Sequence, residues 1–453
     1  MGQCVYLLAN VAYAAMMRTL WILAPCQNSS FHLGSLLHHA DVHRLSYAIG
    51  SAGTADRQTA VSRPRSPAAL ASLRRLSSGI VTISFLLVTS AKADDSTIPA
   101  PTRTVNVSSS WQLSSALNKA QPGDHIALAN GRYSGFTISR SGLKGKPVVV
   151  RAANTLGAKV SGRIVLSGND VYVVGVDVTN GNVVIEGTRD RISRSRLRSR
   201  GSAIHLEHTA RAAIVDHNEI DSQATPTTAS WYGIRVDVGS SGLNHRIYRN
   251  HLHGAPKWTT GDDNSAIQLG FGKSRAINGG VLVEYNLFMD WHGDAETISV
   301  KTSGHTIRFN TGIGIQQFVN RMGTNTTWSA NWLQNSKGIR IHDKNQTLLG
   351  NVSRILIYGG ENGKSASTYY QTINTNVSGN VGSLEIGKAF SNGAASALPS
   401  KNTRVEAHKG AIARLNHVGT TISGRTSRSI PKAFKLTPFD VGPFAPTAPK
   451  ISG

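Results

Sequence analysis

The sequence predicts an all-β fold, a single-stranded right-handed parallel β-helix with a short N-terminal capping helix. Three observations carry that expectation. A small or amide residue recurs ahead of a hydrophobic one at Gly175, Ser195, Asn218, Asn250, Asn286, Asn310, Asn331, Asn351 and Asn380, in steps of 20, 23, 32, 36, 24, 21, 20 and 29 residues. Short alternating stretches lie between them, among them "AIHLEH", "GIRVDV", "AIQLGF", "ETISVK" and "GIRIHD". Forty-five glycines and only 16% charged residues in a 453-residue chain suit strands joined by many turns. A period of about twenty with variable insertions marks a solenoid, in which a coil cannot bury its own apolar face but stacked coils can. Inward asparagines would then hydrogen-bond up and down the stack. The framework of a leucine-rich repeat is missing, and propeller units are about twice as long.

The first 93 residues read as a leader. "LRRLSSGIVTISFLLVTSAKA" has Arg74 and Arg75, an apolar run from Ile80 to Val88 and a small-x-small ending at Ala91, Lys92 and Ala93. That is the layout of a secretory signal cleaved after Ala93, so the mature chain is expected to be secreted or periplasmic. The earlier run "CVYLLANVAYAAMMRTLWILAP" either precedes the true start, the favoured reading, or is itself a membrane segment. Residues 80–88 are too short to span a bilayer, so no stable membrane span is expected in the mature protein. Cys4 and Cys26 both lie in the leader, which removes thiol catalysis, cysteine metal sites and disulfides from the exported chain.

The formal charge is +23, and the leader's eight Lys/Arg and two Asp leave +17 on the rest. Such a surface attracts polyanions. Without a helical basic stripe, zinc-finger spacing or an aromatic RNA-binding motif, specific nucleic-acid recognition is not expected. An anionic polysaccharide or an anionic membrane remains. The sequence does not specify an oligomeric state.

Residues 94–385 are expected to form the β-helix. Ser109 or Ser110 can cap a helix whose Trp111, Leu113, Ala116 and Leu117 make one apolar side. Pro122, Gly123 and Asp124 form a turn, and "HIALANGRY" reads as one strand. A helix at this point covers the open end of the stack, which would otherwise invite edge-to-edge pairing. The two long steps after Asn218 and Asn250 place loops carrying "ATPTTASWYG" and "GAPKWTTGDDN" on adjacent coils, where binding surfaces are built. Residues 386–453 hold the last coils and an extended proline-rich tail, "SIPKAFKLTPFDVGPFAPTAPKISG", packed along or beyond them.

Chemistry concentrates in "GDAETISVKTSGHTIRFNT". In a regular strand Asp294, Glu296 and Ile298 share one face and Ser299 and Lys301 the other, and a turn or bulge before Lys301 would bring it back to the carboxylates. Taken alone, the stretch also reads as a solvated strand with a surface ion pair. Asn264 lies one coil earlier, and stacked coils sit about 5 Å apart. Three oxygen donors at that spacing can hold a hard cation such as Ca²⁺, with Asp262 and Asp263 as alternative ligands and a turn role for Asn264 as the plain alternative. The histidines His292, His305 and His342 do not have zinc-cluster spacing. Asp262, Asp263 and Asp294 would also serve a hydrolase carboxylate pair, and a non-catalytic carbohydrate-binding β-helix is a third reading.

The run D-A-E-T-I-S-V-K-T, then "NRMG", then "NWLQNSKGIRI", resembles polysaccharide lyase family 6, the chondroitinase B and alginate lyase group, from the PGD turn to about Val352. The resemblance implies a Ca²⁺-assisted β-elimination on a uronate polysaccharide. It implies Asp294, Glu296 and Asn264 as metal ligands, Lys301 as the base and Arg321 as the acid. Arg340 and His342, on the "GIRIHD" strand, become candidate substrate contacts, Arg340 for the carboxylate unless it pairs with Asp343. Chemically, Arg321 stays charged and is a better electrostatic partner than proton donor. Lysine serves as a base only where neighbouring positive charge disfavours its ammonium form. Met322 stands where the family has histidine, Lys337 replaces the first glycine of Gly-Gly-Ile-Arg, and Asp294 replaces a glutamate.

Overall fold

The computed structural model describes residues 6–13, 16–23 and 98–446, apart from 200, 223–229, 258–263, 363–367 and 391–394. The chain divides into two units, residues 1–89 and 90–453. In the first, Tyr6–Tyr13 and Met16–Leu23 pair antiparallel. No helix among the described residues is long and apolar enough to cross a membrane. The signal-like stretch 74–93 lies outside the described residues.

The second unit is a parallel β-helix whose coils contribute strands to three ladders. In the first ladder Ile192, Val215, Ile247, Val283, Ile307, Trp328, Leu348, Val377 and Val405 stand in register. The second aligns Leu197, Ile220, Leu252, Phe288, Gly312 and Leu333. The third aligns Ile204, Ile234, Ile267, Ile298, Phe318, Ile339, Ile355 and Leu384. These columns point inward and form one continuous apolar core. Each fully buried aliphatic side chain stabilises the stack by roughly 1.5–3 kcal/mol. A slip of one residue would turn every such column outward, so the register is strongly specified.

The recurring asparagines occupy the turn between the first and second ladders. Asn218 Nδ2 donates to Asn250 Oδ1, and the same bond repeats through Asn286, Asn310, Asn331, Asn351 and Asn380 at 2.8–3.1 Å. Each Oδ1 also accepts the backbone N–H of the preceding asparagine. Ser195 holds the same place one coil earlier, where its N–H donates to Asn218 Oδ1 and its hydroxyl accepts from Val176. The residue before each asparagine, from His217 through Arg249, Tyr285, Phe309, Ala330 and Gly350 to Gly379, has positive φ. That left-handed step costs energy in a non-glycine residue, and the asparagine bonds offset it.

The ends of the stack are handled differently. Helix Ser110–Asn118 is capped by Ser109, whose hydroxyl accepts from Gln112, and it buries Leu113 and Leu117. Trp111 is 79% exposed, contrary to expectation, because at two residues from Leu113 it falls on the opposite helix face. "HIALANGRY" breaks at Ala129–Asn130 into two strands, Asp124–Leu128 and Gly131–Ile138, that join different ladders.

The proline-rich tail doubles back along the asparagine turns. Ile430 packs over Gly350 and Gly379, where any side chain would collide with it or with Pro431. Phe434 stacks with Tyr285 and Phe309, Leu436 packs against Leu287, and Leu436 N–H donates to Thr311 Oγ1. Arg194 and Arg249 donate to the carbonyls of Pro443, Ala445 and Pro446.

Asn310→Ala is expected to leave the Asn286 N–H buried without an acceptor, while Asn286 Nδ2 keeps the Ile247 and Glu284 carbonyls, and to cost roughly 1–3 kcal/mol. Thermal unfolding followed by circular dichroism checks this, and a midpoint equal to wild type would refute the structural role.

Candidate active site on the third ladder

The outer face of the third ladder carries the candidate site. The strand Glu296–Val300 does not keep regular alternation, because its pairing with Gln317–Asn320 shifts between Glu296 and Ile298. Thr297 is the extra residue of this bulge. Ile298 therefore points into the core, while Glu296 turns to the same face as Ser299, whose hydroxyl donates to Glu296 Oε2 at 2.6 Å. The bulge reunites Glu296 with the Lys301 face, which uninterrupted alternation would have separated.

Register places the functional side chains in two outward columns. Gln268, Ser299, Val319 and Arg340 stand in one. The residues that follow those strands, Gly270, Lys301, Arg321 and His342, stand in the other. Gly270 leaves the coil below Lys301 without a side chain, and a Cβ there would meet Thr302. Lys301 is 7% exposed.

Glu296 is the electrostatic centre. Its Oε1 accepts from Arg340 Nη2, and Arg321 Nη1 lies 3.7 Å from the same oxygen. Arg340 thus pairs with Glu296 and not with Asp343, which accepts from Nε and Nη2 of Arg275 at 2.6 Å. The Nε atoms of Arg321 and Arg340 are buried without a partner.

An aromatic group that the sequence did not signal covers the two arginines. Tyr369 and Phe390 stack 4.1 Å apart, with Arg321 beneath Tyr369 and Arg340 beneath Phe390. His342 lies fully buried between Tyr358 and Tyr369, with no hydrogen bond to either ring nitrogen. Burial, with Arg340 and Arg321 nearby, pushes its pKa well down, so the ring is neutral. The structure seals this proposed substrate contact beneath aromatic rings.

The donors expected to hold a cation are placed unequally. Asn264 is packed against Gly293, which confirms the one-coil spacing, but its Oδ1 accepts the Trp231 N–H at 2.9 Å. Asp294 Oδ1 accepts the Ala295 N–H. Asp262 and Asp263 lie outside the described residues. Asn264 Nδ2, Ser265 Oγ and Thr297 Oγ1 are buried on these two coils without partners. The Asp294 and Glu296 carboxylates and the Ser265 and Thr297 hydroxyls are oxygen donors of the kind a hard cation such as calcium takes, with no thiolate or imidazole among them.

A second polar cluster lies on the same face, where His205 bridges Glu207 and Asp237 and Arg235 also binds Asp237. His205, Glu207 and Asp237 each offer a ligand atom within 4.8 Å of the others, and Asp237 is also paired with Arg235.

The departures from the family pattern are accommodated. Lys337 is exposed, whereas Gly338 has φ +92° and a Cβ there would collide with Arg354 O. Met322 packs towards Gly272.

The sequence profile described as chondroitinase B matches residues 107–381, more than half of the chain. The chain belongs to the chondroitinase B family. Among solved structures, the PL6 family alginate lyase AlyGC superposes with a TM-score of 0.61 at 17% identity, over 70% of this chain and 50% of that one. This chain thus spans half the length of AlyGC. A mannuronic acid specific family 6 lyase from human gut microbiota gives 0.58 at 17% identity, over 69% and 82%. The polysaccharide lyase Pedsa3628 from Pseudopedobacter saltans gives 0.57 at 13%, over 75% and 99%. At such identities the likeness concerns the fold, which all three share with this member of the chondroitinase B family. No curated protein matches the sequence.

Two buried histidines are expected to add to the acid sensitivity of the fold. His305 Nδ1 accepts the Val281 N–H and His245 Nδ1 the Ala213 N–H, and burial pushes each pKa down to about 3. An unfolded imidazole takes up its proton near pH ~6.5. Between about pH 6.5 and 3 the unfolded chain binds more protons, so stability rises with pH through this window and is lost on acidification. The thermal midpoint is expected to fall from pH 7 to pH 4, and His305→Asn, which keeps an acceptor that cannot titrate there, is expected to flatten the fall. An equally steep fall in the variant would refute the assignment.

Proposed function

We propose that this protein is an exported polysaccharide lyase that cleaves an acidic uronate polysaccharide by β-elimination. The observation that carries this reading is the Lys301–Arg321 column beside a buried, arginine-clamped Glu296 on the outer face of a chondroitinase B family β-helix. Lys301 Nζ takes the proton from the carbon next to the uronate carboxylate. The released electron pair forms the C4–C5 double bond as the C4–O bond breaks, and the leaving oxygen takes a proton from water, whose hydroxide is neutralised by the proton that Lys301 releases.

The difficulty of this reaction is the negative charge that builds on the carboxylate as the proton leaves. Preorganised positive groups stabilise that charge most where water is excluded. Arg340, which is buried, and Arg321, which is half-buried, supply two guanidiniums beside Phe390 and Tyr369. Asp294 and Glu296, with the Asn264 Oδ1 that also accepts the Trp231 N–H, would hold a calcium ion, which neutralises the carboxylate when bound.

The substrate class is inferred from the +17 charge left on the chain beyond the leader and from the alginate lyases among the similar structures. The basic surface concentrates a polyanion, and added salt weakens that attraction. Export rests on the signal-like stretch ending at Ala93.

Ultraviolet absorbance of the unsaturated uronate, measured on alginate and on dermatan sulfate with calcium and with chelator, tests the reading. A calcium-dependent rise is expected, and Lys301→Ala should lower kcat by roughly 10²–10⁴-fold. New reducing ends without a double bond would instead indicate a hydrolase.

A further inference from the structure

We propose that Arg340 is a positioning residue that competes with a divalent cation for Glu296, so that cation binding hands the Arg340 guanidinium to the substrate carboxylate. The inference rests on the lyase reading above. It starts from one oxygen: Glu296 Oε1 is bound by Arg340 and approached by Arg321, while Oε2 is taken by Ser299. The side chains of Glu296 and Arg340 are 4% and 5% exposed, so neither charge can be left to solvent.

A cation at Glu296 competes with Arg340 for one carboxylate charge, since Oε1 already accepts the guanidinium and Oε2 the Ser299 hydroxyl, and added positive charge beside Arg340 and Arg321 weakens the ion pair until the guanidinium is displaced. The displaced guanidinium is then a buried charge without its counter-ion, a costly state in a protein interior. Its other contacts do not replace the carboxylate, since Gln317 Oε1 lies 3.5 Å away and the Phe390 and Tyr358 rings offer only their faces. Arg340 Nε and Arg321 Nε already lack acceptors. A uronate carboxylate presents two oxygens to a planar fork and meets this need.

The consequence is reciprocal coupling: cation alone binds weakly against Arg340, uronate alone finds Arg340 occupied, and each raises the affinity of the other by the same factor. Arg340 thereby withholds the site until both ligands are present.

Calorimetric titration of the full-length protein with calcium chloride, without substrate, tests the competition independently of turnover. Arg340→Gln is expected to bind calcium at least tenfold more tightly than wild type, a shift of about 1.4 kcal/mol. Arg340→Lys, a smaller change to the packing that keeps the charge but loses the fork, should tighten binding by less. In a Lys301→Ala background, where substrate is not consumed, alginate or dermatan oligosaccharide should tighten calcium binding, and Arg340→Gln should abolish that effect. Equal or weaker calcium affinity in Arg340→Gln, or no calcium binding in any form, would overturn the proposal. A wild-type protein with the expected calcium behaviour but no unsaturated product on any uronate polymer would instead overturn the lyase reading.

Discussion

The buried asparagine column between the first and second ladders is the constraint on which the rest of the structure depends. Each amide bonds the next amide and the next backbone, so consecutive coils are locked at the hydrogen-bonding distance of a parallel sheet. The amides need this geometry because a buried N–H or C=O without a partner is expensive, and a stack of identical turns gives every group one. The same column holds Tyr285 and Phe309 in a left-handed conformation that sets them side by side for Phe434. The tail is therefore fastened to a feature that exists because the asparagines repeat.

A stack with fixed rise converts positions far apart in sequence into a two-dimensional surface. Ser299, Val319 and Arg340 are about twenty residues apart in the chain and neighbours on the sheet. Catalytic geometry then requires only the right residue type on each coil and a local device to aim it. The Thr297 bulge is that device, since it rotates Glu296 by one face while leaving Ile298 in the core. Glycines at 270 and 338 do the complementary work by keeping side chains out where neighbouring coils approach closely.

Charge at the site is arranged by burial. One carboxylate faces two guanidiniums beneath an aromatic cover, and His342 is kept neutral between rings. In water such pairs contribute little, but exclusion of solvent makes each a strong determinant of where an anion or a cation can go. Aromatic residues from the loops beyond Tyr358 supply that exclusion.

The sequence alone determined the stacked-coil architecture, the asparagine column, the capping helix and the placement of Asp294, Glu296, Lys301 and Arg321 within one region, because all of these are written as local period and residue type. It also determined that Asn264 lies one coil before Gly293. It left undecided which face Glu296 would take, because a bulge is one residue of backbone irregularity with no side-chain signature. Pairing of Arg340 with Glu296, and of Asp343 with Arg275, came from positions 44 and 68 residues apart along the chain. The cover of Tyr369 and Phe390 and the return of the tail were likewise set by tertiary structure. These contacts join elements whose sequence separation carries no periodic signal, so only the packed stack, by fixing distances across coils, could decide them.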